Sequence, residues 1–359
     1  PEHEAQAIKM AEKGIVLLEN DGTLPLKENA QKILITGYNA DNKLAYLGNY
    51  FGDPSHFVMV TDAVCEYNSE TEFIRGIHLY DSKKNSDEQL ALEKAKNCDI
   101  ILMCTGLDSS IEGEEAGGAL AGGGGNIGKQ GDRETIDLPL NQQKYIEKLI
   151  DTGKKIILLN FSGGCINFGK FKSRVNAIVQ CWYPGAQGGK AIADILFGKC
   201  SPSGKLPITF YNSTDDLPDF CDYSMQNRTY RYFKGNVQYQ FGYGRTYTKF
   251  SLEDIALIGE EIKATICNIG NEKSDTVLQL YVSYPPTEYP NPQKSLVSFK
   301  RIGLKPGERE TITFKITSEY LTSANNDGNK IILDGCYKFT LTDGCDFTSK
   351  PILYQKQKN

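Results

Sequence analysis

Three apolar runs, DIILMC at 99–104, KKIILLN at 154–160 and NAIVQCW at 176–182, constrain this chain more than any other feature. Their inner residues, Gln180 apart, are apolar without the in–out alternation of a strand that has one wet face. Such runs sit in a sheet covered on both sides, the habit of parallel strands joined by helical crossovers. The segments between and around them fit that reading. DEQLALEKAKNC, NQQKYIEKLIDTG and GGKAIADILFG have helical spacing, as does TDAVCEYNSE further upstream. KILITG at 32–37 adds another strand, an edge strand is expected near Ile77, and the first residues predict a helix from His3 to Asn20 that NDG terminates. The first part is therefore α/β, a mostly parallel, doubly wound sandwich.

The pattern changes near residue 250. EIKATICNIG, DTVLQLYVSY, SLVSFKRIGL, ETITFKIT and CYKFTLTDG are short alternating runs separated by Gly, Pro and Asn turns. They predict an all-β sandwich of immunoglobulin or fibronectin III-like type. The expected organisation is an entry helix and linker over 1–30, the α/β sandwich over 31–210, an aromatic-rich linker over 211–249 packed against both domains, and the β-sandwich over 250–359.

Charge and composition exclude several classes of partner. A net charge of −5 and the lack of basic runs interleaved with aromatics argue against nucleic acid. No apolar stretch approaches the roughly 20 residues of a membrane span, so no membrane partner is expected. PEHEAQAIKM lacks the basic and apolar regions of a signal peptide, which places any export signal upstream. Ten cysteines are scattered singly without a C-x-x-C pair, and only His3, His56 and His78 are present. Neither a metal site nor a Ser/His/Asp triad is expected, and no cofactor. Cys336 and Cys345, nine apart around an expected hairpin, are read as thiols.

Hydrolytic chemistry then falls to carboxylates. The loop from Gly106 to Arg133, GLDSSIEGEEAGGALAGGGGNIGKQGDR, comes after the DIILMC strand and holds Glu112, Glu114 and Glu115 among many glycines. The carboxyl end of a strand is where α/β folds present reactive groups, and clustered like charges push one carboxyl toward the range of a general acid. GGGGNIG formally matches G-x-G-x-x-G, but it neither directly succeeds a strand nor opens a helix, so nucleotide binding is not expected. The glycines read as a lid or an insertion.

CWYPGAQGGKAIADILFGKCSPSGKLPITFY at 181–211 resembles a long and specific pattern of family 3 glycoside hydrolases, the β-glucosidase and β-xylosidase family. EHEAQAIKMAEKGIVLLENDGTLPL, GYNADNKLAYLGNYFGDPSH, GLDSSIEGEE with GDR downstream, YQFGYGRTYTKF and LVSFKRIGLKPGE are similar to the same family, so the resemblance spans nearly the whole chain. It implies an (α/β)6 sandwich followed by a fibronectin III-like domain. It also implies a preceding (β/α)8 barrel that carries the nucleophilic aspartate. This chain starts near where such a barrel would end, and Pro1 in place of an initiator Met fits a fragment or a processed chain. The barrel is expected elsewhere in the same gene product or on another chain.

The implied activity is release of terminal β-linked glucose or xylose from an oligosaccharide or aryl glycoside by a retaining two-carboxylate mechanism. This chain would supply the general acid/base. Glu112 is favoured by its spacing from Gly106, Glu114 fits another branch of the family, and Glu115 comes third. The insertion before GDR leaves that order open. Asn49, Tyr50 and Phe51 are read as the rim of the sugar pocket, Asp132 and Arg133 as a loop-anchoring pair, Trp182 as core, and Gly185, Gly188 and Gly189 as a tight turn into a helix. Family habit implies a secreted or periplasmic location. The alternative is a noncatalytic carbohydrate-binding or scaffold piece.

Overall fold

The computed structural model describes residues 2–49, 51–84, 87–112, 133–345 and 349–356. The chain divides into two compact units. The first holds residues 1–204, 210–216 and 237–239, and the second holds 205–209, 217–236 and 240–359. The aromatic-rich 211–249 segment is thus shared between the two.

The first unit is built on six strands: β1 (Val16–Asn20), β2 (Ile33–Thr36), β3 (Thr71–Phe73), β4 (Ile100–Gly106), β5 (Lys155–Phe161) and β6 (Ala177–Gln180). Their order across the sheet is β1-β6-β5-β4-β2-β3. All neighbours are parallel except β1, which runs antiparallel to β6. Every residue of β4 is buried, as are those of β2 and β6. The apolar runs are continuous because helices exclude water from both faces. These helices are α1 (Glu2–Gly14), the single turn α2 (Leu44–Leu47), α3 (Val60–Tyr67), α4 (Glu88–Ala95), α5 (Leu140–Ile150) and α6 (Gly188–Leu196). α1 and α3 pack on α6, and α4 on α5. A short antiparallel pair, β7 (Phe210–Tyr211) and β8 (Val237–Tyr239), completes the unit.

Two expectations are corrected. The segment from His3 to Asn20 is not one helix: α1 stops at Gly14 and Val16–Asn20 is strand β1. Ile15 to Leu18 are fully buried, whereas α1 buries no residue at all. A four-residue apolar run does not distinguish strand from helix by period, and pairing with β6 decides it here. The edge strand lies at Thr71–Phe73, not at Ile77, which is buried in the loop after it.

The sheet order reverses between β2 and β4: the chain moves from β2 outward to β3, then returns to β4 on the other side of β2. In open α/β sheets the crevice at the carboxyl ends of such a switch point is the usual ligand site. β4 ends at Gly106, with φ +116°, where a Cβ would stand 2.0 Å from the Phe161 carbonyl oxygen. Only glycine lets the chain turn out of the sheet against the end of β5.

The second unit contains the turn α7 (Thr229–Tyr232) and two main antiparallel sheets. One is built from β9 (Phe250–Ile258), β10 (Glu261–Asn268) and β13 (Arg309–Lys315), with β10 central. The other has the order β12-β11-β16-β17, from β11 (Ser274–Ser283), β12 (Ser295–Leu304), β16 (Gly335–Thr342) and β17 (Ile352–Lys356). The turn α8 (Ser318–Leu321) and the small pair β14 (Thr322–Ala324) and β15 (Lys330–Ile332) lie between β13 and β16. Ile262, Ala264 and Ile266 alternate inward from β10, and Leu278, Leu280 and Val282 from β11, into one apolar core. The period-2 pattern of the sequence is that in–out alternation. All ten cysteines are free thiols.

Tyr337 shows how polar groups are handled in this core. Its fully buried hydroxyl accepts from the Leu333 N–H at 3.0 Å and faces the carbonyls of Leu321 at 3.1 Å and Leu333 at 2.9 Å. Tyr337→Phe strands the Leu333 donor and both carbonyls, so urea denaturation is expected to show a loss of about 1–3 kcal/mol. An unchanged midpoint would mean that water reaches those groups.

Candidate active site

The site starts at the end of β4. Gln142, buried on α5, accepts from the Thr105 hydroxyl at 2.6 Å and the Gly106 N–H at 2.9 Å, and its amide donates to the Gly106 and Leu79 carbonyls at 2.8 Å each. The Leu107 N–H donates to the Phe161 carbonyl at 2.6 Å. The strand end is therefore fixed from two sides before the loop begins.

Asp108 organises the turn that comes next. Its side chain, only 2% exposed, accepts from the Ser110 N–H at 2.9 Å, the Ser110 hydroxyl at 2.5 Å and the Asn42 amide at 2.7 Å. Its carbonyl receives the N–H groups of Ile111 at 3.1 Å and Glu112 at 2.9 Å. This local side-chain turn is a common use of aspartate. Asn39 braces it from the β2 side, donating to the carbonyls of Thr105 at 3.3 Å and Leu107 at 3.0 Å.

The turn delivers Glu112 to a point where three strand-end loops meet. Oε2 accepts from the Gly163 N–H, beyond β5, at 2.9 Å, and from the hydroxyl of Tyr183, beyond β6. The backbone carbonyl of Glu112 accepts from the Asn49 amide at 2.8 Å. Arg133 is largely buried nearby. Its Nη2 donates to the Asp137 carbonyl at 2.6 Å, while its Nε has no hydrogen-bond partner among the described residues. Burial holds the Arg133 guanidinium below its ordinary value, and the Glu112 charge draws it back up. Burial first, then the adjacent Glu112 carboxylate, pushes the Tyr183 phenol far up, so Tyr183 is a neutral donor at working pH.

Of the residues that the sequence singles out, the structure brings together Glu112 and Asn49. Asn49 is an exposed side chain that ties down the Glu112 backbone. Phe51 is 49% exposed. Glu114, Glu115, Tyr50, Asp132 and the glycine run lie outside the described residues. Trp182 is half-buried, donating from Nε1 to the Gly14 carbonyl at 3.0 Å, with its ring edge-on to Phe210. Sequence reasoning misses Tyr183, Gly163, Asp108 and Asn42. The available signal is their place: each lies just past the carboxyl end of a predicted strand.

Chemically, the described residues place one carboxylate, Glu112, where it could exchange a proton. Among the described residues Asp108 is the other carboxylate at the turn, and its oxygens are taken up in holding it. Among the described residues no group of three or more His, Cys, Asp or Glu could hold a metal ion, and no helix is long and apolar enough to cross a membrane. Tyr80, Leu107, Ile111, Arg133, Leu138 and Leu140 border a cavity of about 290 Å³.

Residues 15–247 match the family model of the glycosyl hydrolase family 3 C-terminal domain, and residues 276–343 that of the fibronectin type III-like domain. A xylan 1,4-β-xylosidase from Xylanibacter ruminicola is 38% identical over 245 residues, which is 66% of this chain and 27% of that protein. An exo-1,4-β-xylosidase from Emericella nidulans is 29% identical over 373 residues, 94% of this chain and 44% of that one. An exo-β-xylosidase solved with a xylobiose aziridine probe superposes with a TM-score of 0.86 at 28% identity, covering 99% of this chain and 49% of that one. The chain thus spans less than half the length of each of these relatives.

Proposed function

Because this chain belongs to glycoside hydrolase family 3, we propose that it is the acid/base half of a β-glycosidase acting on terminal β-linked xylose or glucose. One observation carries the reading: the Glu112 carboxylate is held at the carboxyl edge of the sheet by donors from two neighbouring strand-end loops. A retaining hydrolase needs a second carboxyl about 5–5.5 Å away to attack the anomeric carbon. That nucleophile would come from a (β/α)8 barrel in the same gene product or on a partner chain. As it attacks, Glu112 gives its proton to the glycosidic oxygen and the alcohol leaves. Glu112 then takes a proton from the water that displaces the sugar, which leaves with its original anomeric configuration. The names of the relatives favour β-xylosides; β-glucosides are the second reading.

The test is the first-formed sugar. With p-nitrophenyl β-xyloside or β-glucoside and the chain in its full gene product, proton NMR should show the β-anomer ahead of mutarotation. An α-anomer first would overturn the retaining mechanism. No turnover of either glycoside, with glycan binding retained, would favour a noncatalytic binding role.

A further inference from the structure

We propose that Tyr183 and the Gly163–Gly164 turn are a positioning device that reserves Oε1 of Glu112 for proton exchange with the leaving oxygen and then with water. The inference rests on Glu112 being the acid/base, and it assigns a task to each of its oxygens. Oε2 has two donors, the Gly163 N–H and the Tyr183 hydroxyl. A hydroxyl can turn round and accept, but a backbone N–H only donates. A proton on Oε2 would therefore compete with the Gly163 hydrogen for the same oxygen. The neutral acid carries its proton on Oε1.

Oε1 has no hydrogen-bond donor among the described residues and lies over Gly164, where a Cβ would stand 3.1 Å away. At Gly163 a Cβ would meet the Tyr183 ring at 3.0 Å. The two glycines thus leave room on one side for the tyrosine and on the other for a reacting oxygen. Among the described residues, the titratable groups that interact with Glu112 are Tyr183 and Arg133, with Cys165 near Arg133 and Asp108 near Tyr183. Burial pushes the Cys165 thiol up to about 12, so it stays neutral.

A hydroxyl donating to a carboxylate stabilises its charged form, and Tyr183→Phe removes that donor. Protonated Glu112 is needed for the first step, and its loss sets the alkaline limb of kcat/KM. In the full gene product, Tyr183→Phe should move that limb up by about one pH unit. Gly164→Ala crowds Oε1. It should slow p-nitrophenyl and alkyl glycosides by about 100-fold, while 2,4-dinitrophenyl glycosides, whose leaving group needs no proton, fall far less. A merely structural tyrosine would lower kcat without moving the limb.

A limb that stays put or moves down in Tyr183→Phe, or equal losses on all leaving groups in Gly164→Ala, would overturn the proposal. If Tyr183→Phe does not fold, the leaving-group comparison in Gly164→Ala decides alone. Glu112→Gln in parallel separates the two levels. If it keeps the wild-type leaving-group dependence, the acid/base reading itself fails. If that dependence becomes steeper, with poor leaving groups slowed most, while the tyrosine variant shows no shift, only the positioning device fails.

Discussion

Glu112→Gln should lower kcat/KM for p-nitrophenyl β-xyloside by about 100- to 10,000-fold, the range of one general acid/base group. The amide keeps the size of the carboxylate and can still accept from the Gly163 N–H and the Tyr183 hydroxyl, so the loop should stay where it is. It lacks a transferable proton. The loss therefore falls on substrates that need protonation. With a 2,4-dinitrophenyl glycoside, formation of the glycosyl-enzyme should remain fast, and hydrolysis of that intermediate should become limiting because no base activates water. The expected signal is a burst of dinitrophenolate. Azide, which needs no base, should restore turnover and give the β-glycosyl azide. If Glu112→Gln instead hydrolyses both glycosides at the native rate, the acid is another residue, and Glu114 and Glu115 are next in line.

The parts of this molecule that are legible in sequence are those where one local property suffices. The IILMCTG and IILLNF runs announce doubly covered strands because nothing polar interrupts their centres, and EIKATICN announces a one-sided strand because it alternates. The IVLLEN segment is not legible, because its four buried apolar residues, Ile15 to Leu18, satisfy a helix as well as a strand and the partner that decides, β6, lies some 160 residues downstream. The same limit governs the site. Glu112 can be chosen from the loop and from family resemblance, but Tyr183 is 71 residues away and Gly163 is 51. Only the order of strands in the sheet brings them together. Asn49 reads in sequence as a sugar contact, yet its amide holds the backbone of the acid/base candidate. Its residue type marks it as a hydrogen-bonding group, but its partner, a carbonyl 63 residues further on, is set by the fold.

The largest effect on stability is expected at Gly106. Gly106→Ala places a methyl 2.0 Å from the Phe161 carbonyl oxygen and 2.7 Å from its carbon, on a backbone that forces φ to +116°. Neither side can yield cheaply. Phe161 is the register partner of Gly106 in the parallel β4–β5 pair, and Gln142 grips Gly106 through both its N–H and its carbonyl. Left-handed backbone costs a side chain roughly 1–2 kcal/mol, and an extra methyl in a packed interior costs about 1–3 kcal/mol more. Together they predict a loss of roughly 2–5 kcal/mol, or about 5–15 °C in Tm for a unit of this size. Gly153→Ala is the control. Its φ is +71°, but nothing lies within 4 Å of its Cβ, so it carries the backbone cost alone. If the two variants melt together, the close approach at the end of β4 is not real, and the fixed base from which Asp108 presents Glu112 goes with it. If Gly106→Ala is far the less stable, its surviving folded fraction should also be slow toward p-nitrophenyl glycosides. The displaced strand end would carry the Asp108 turn, and Glu112 with it, away from Gly163 and Tyr183.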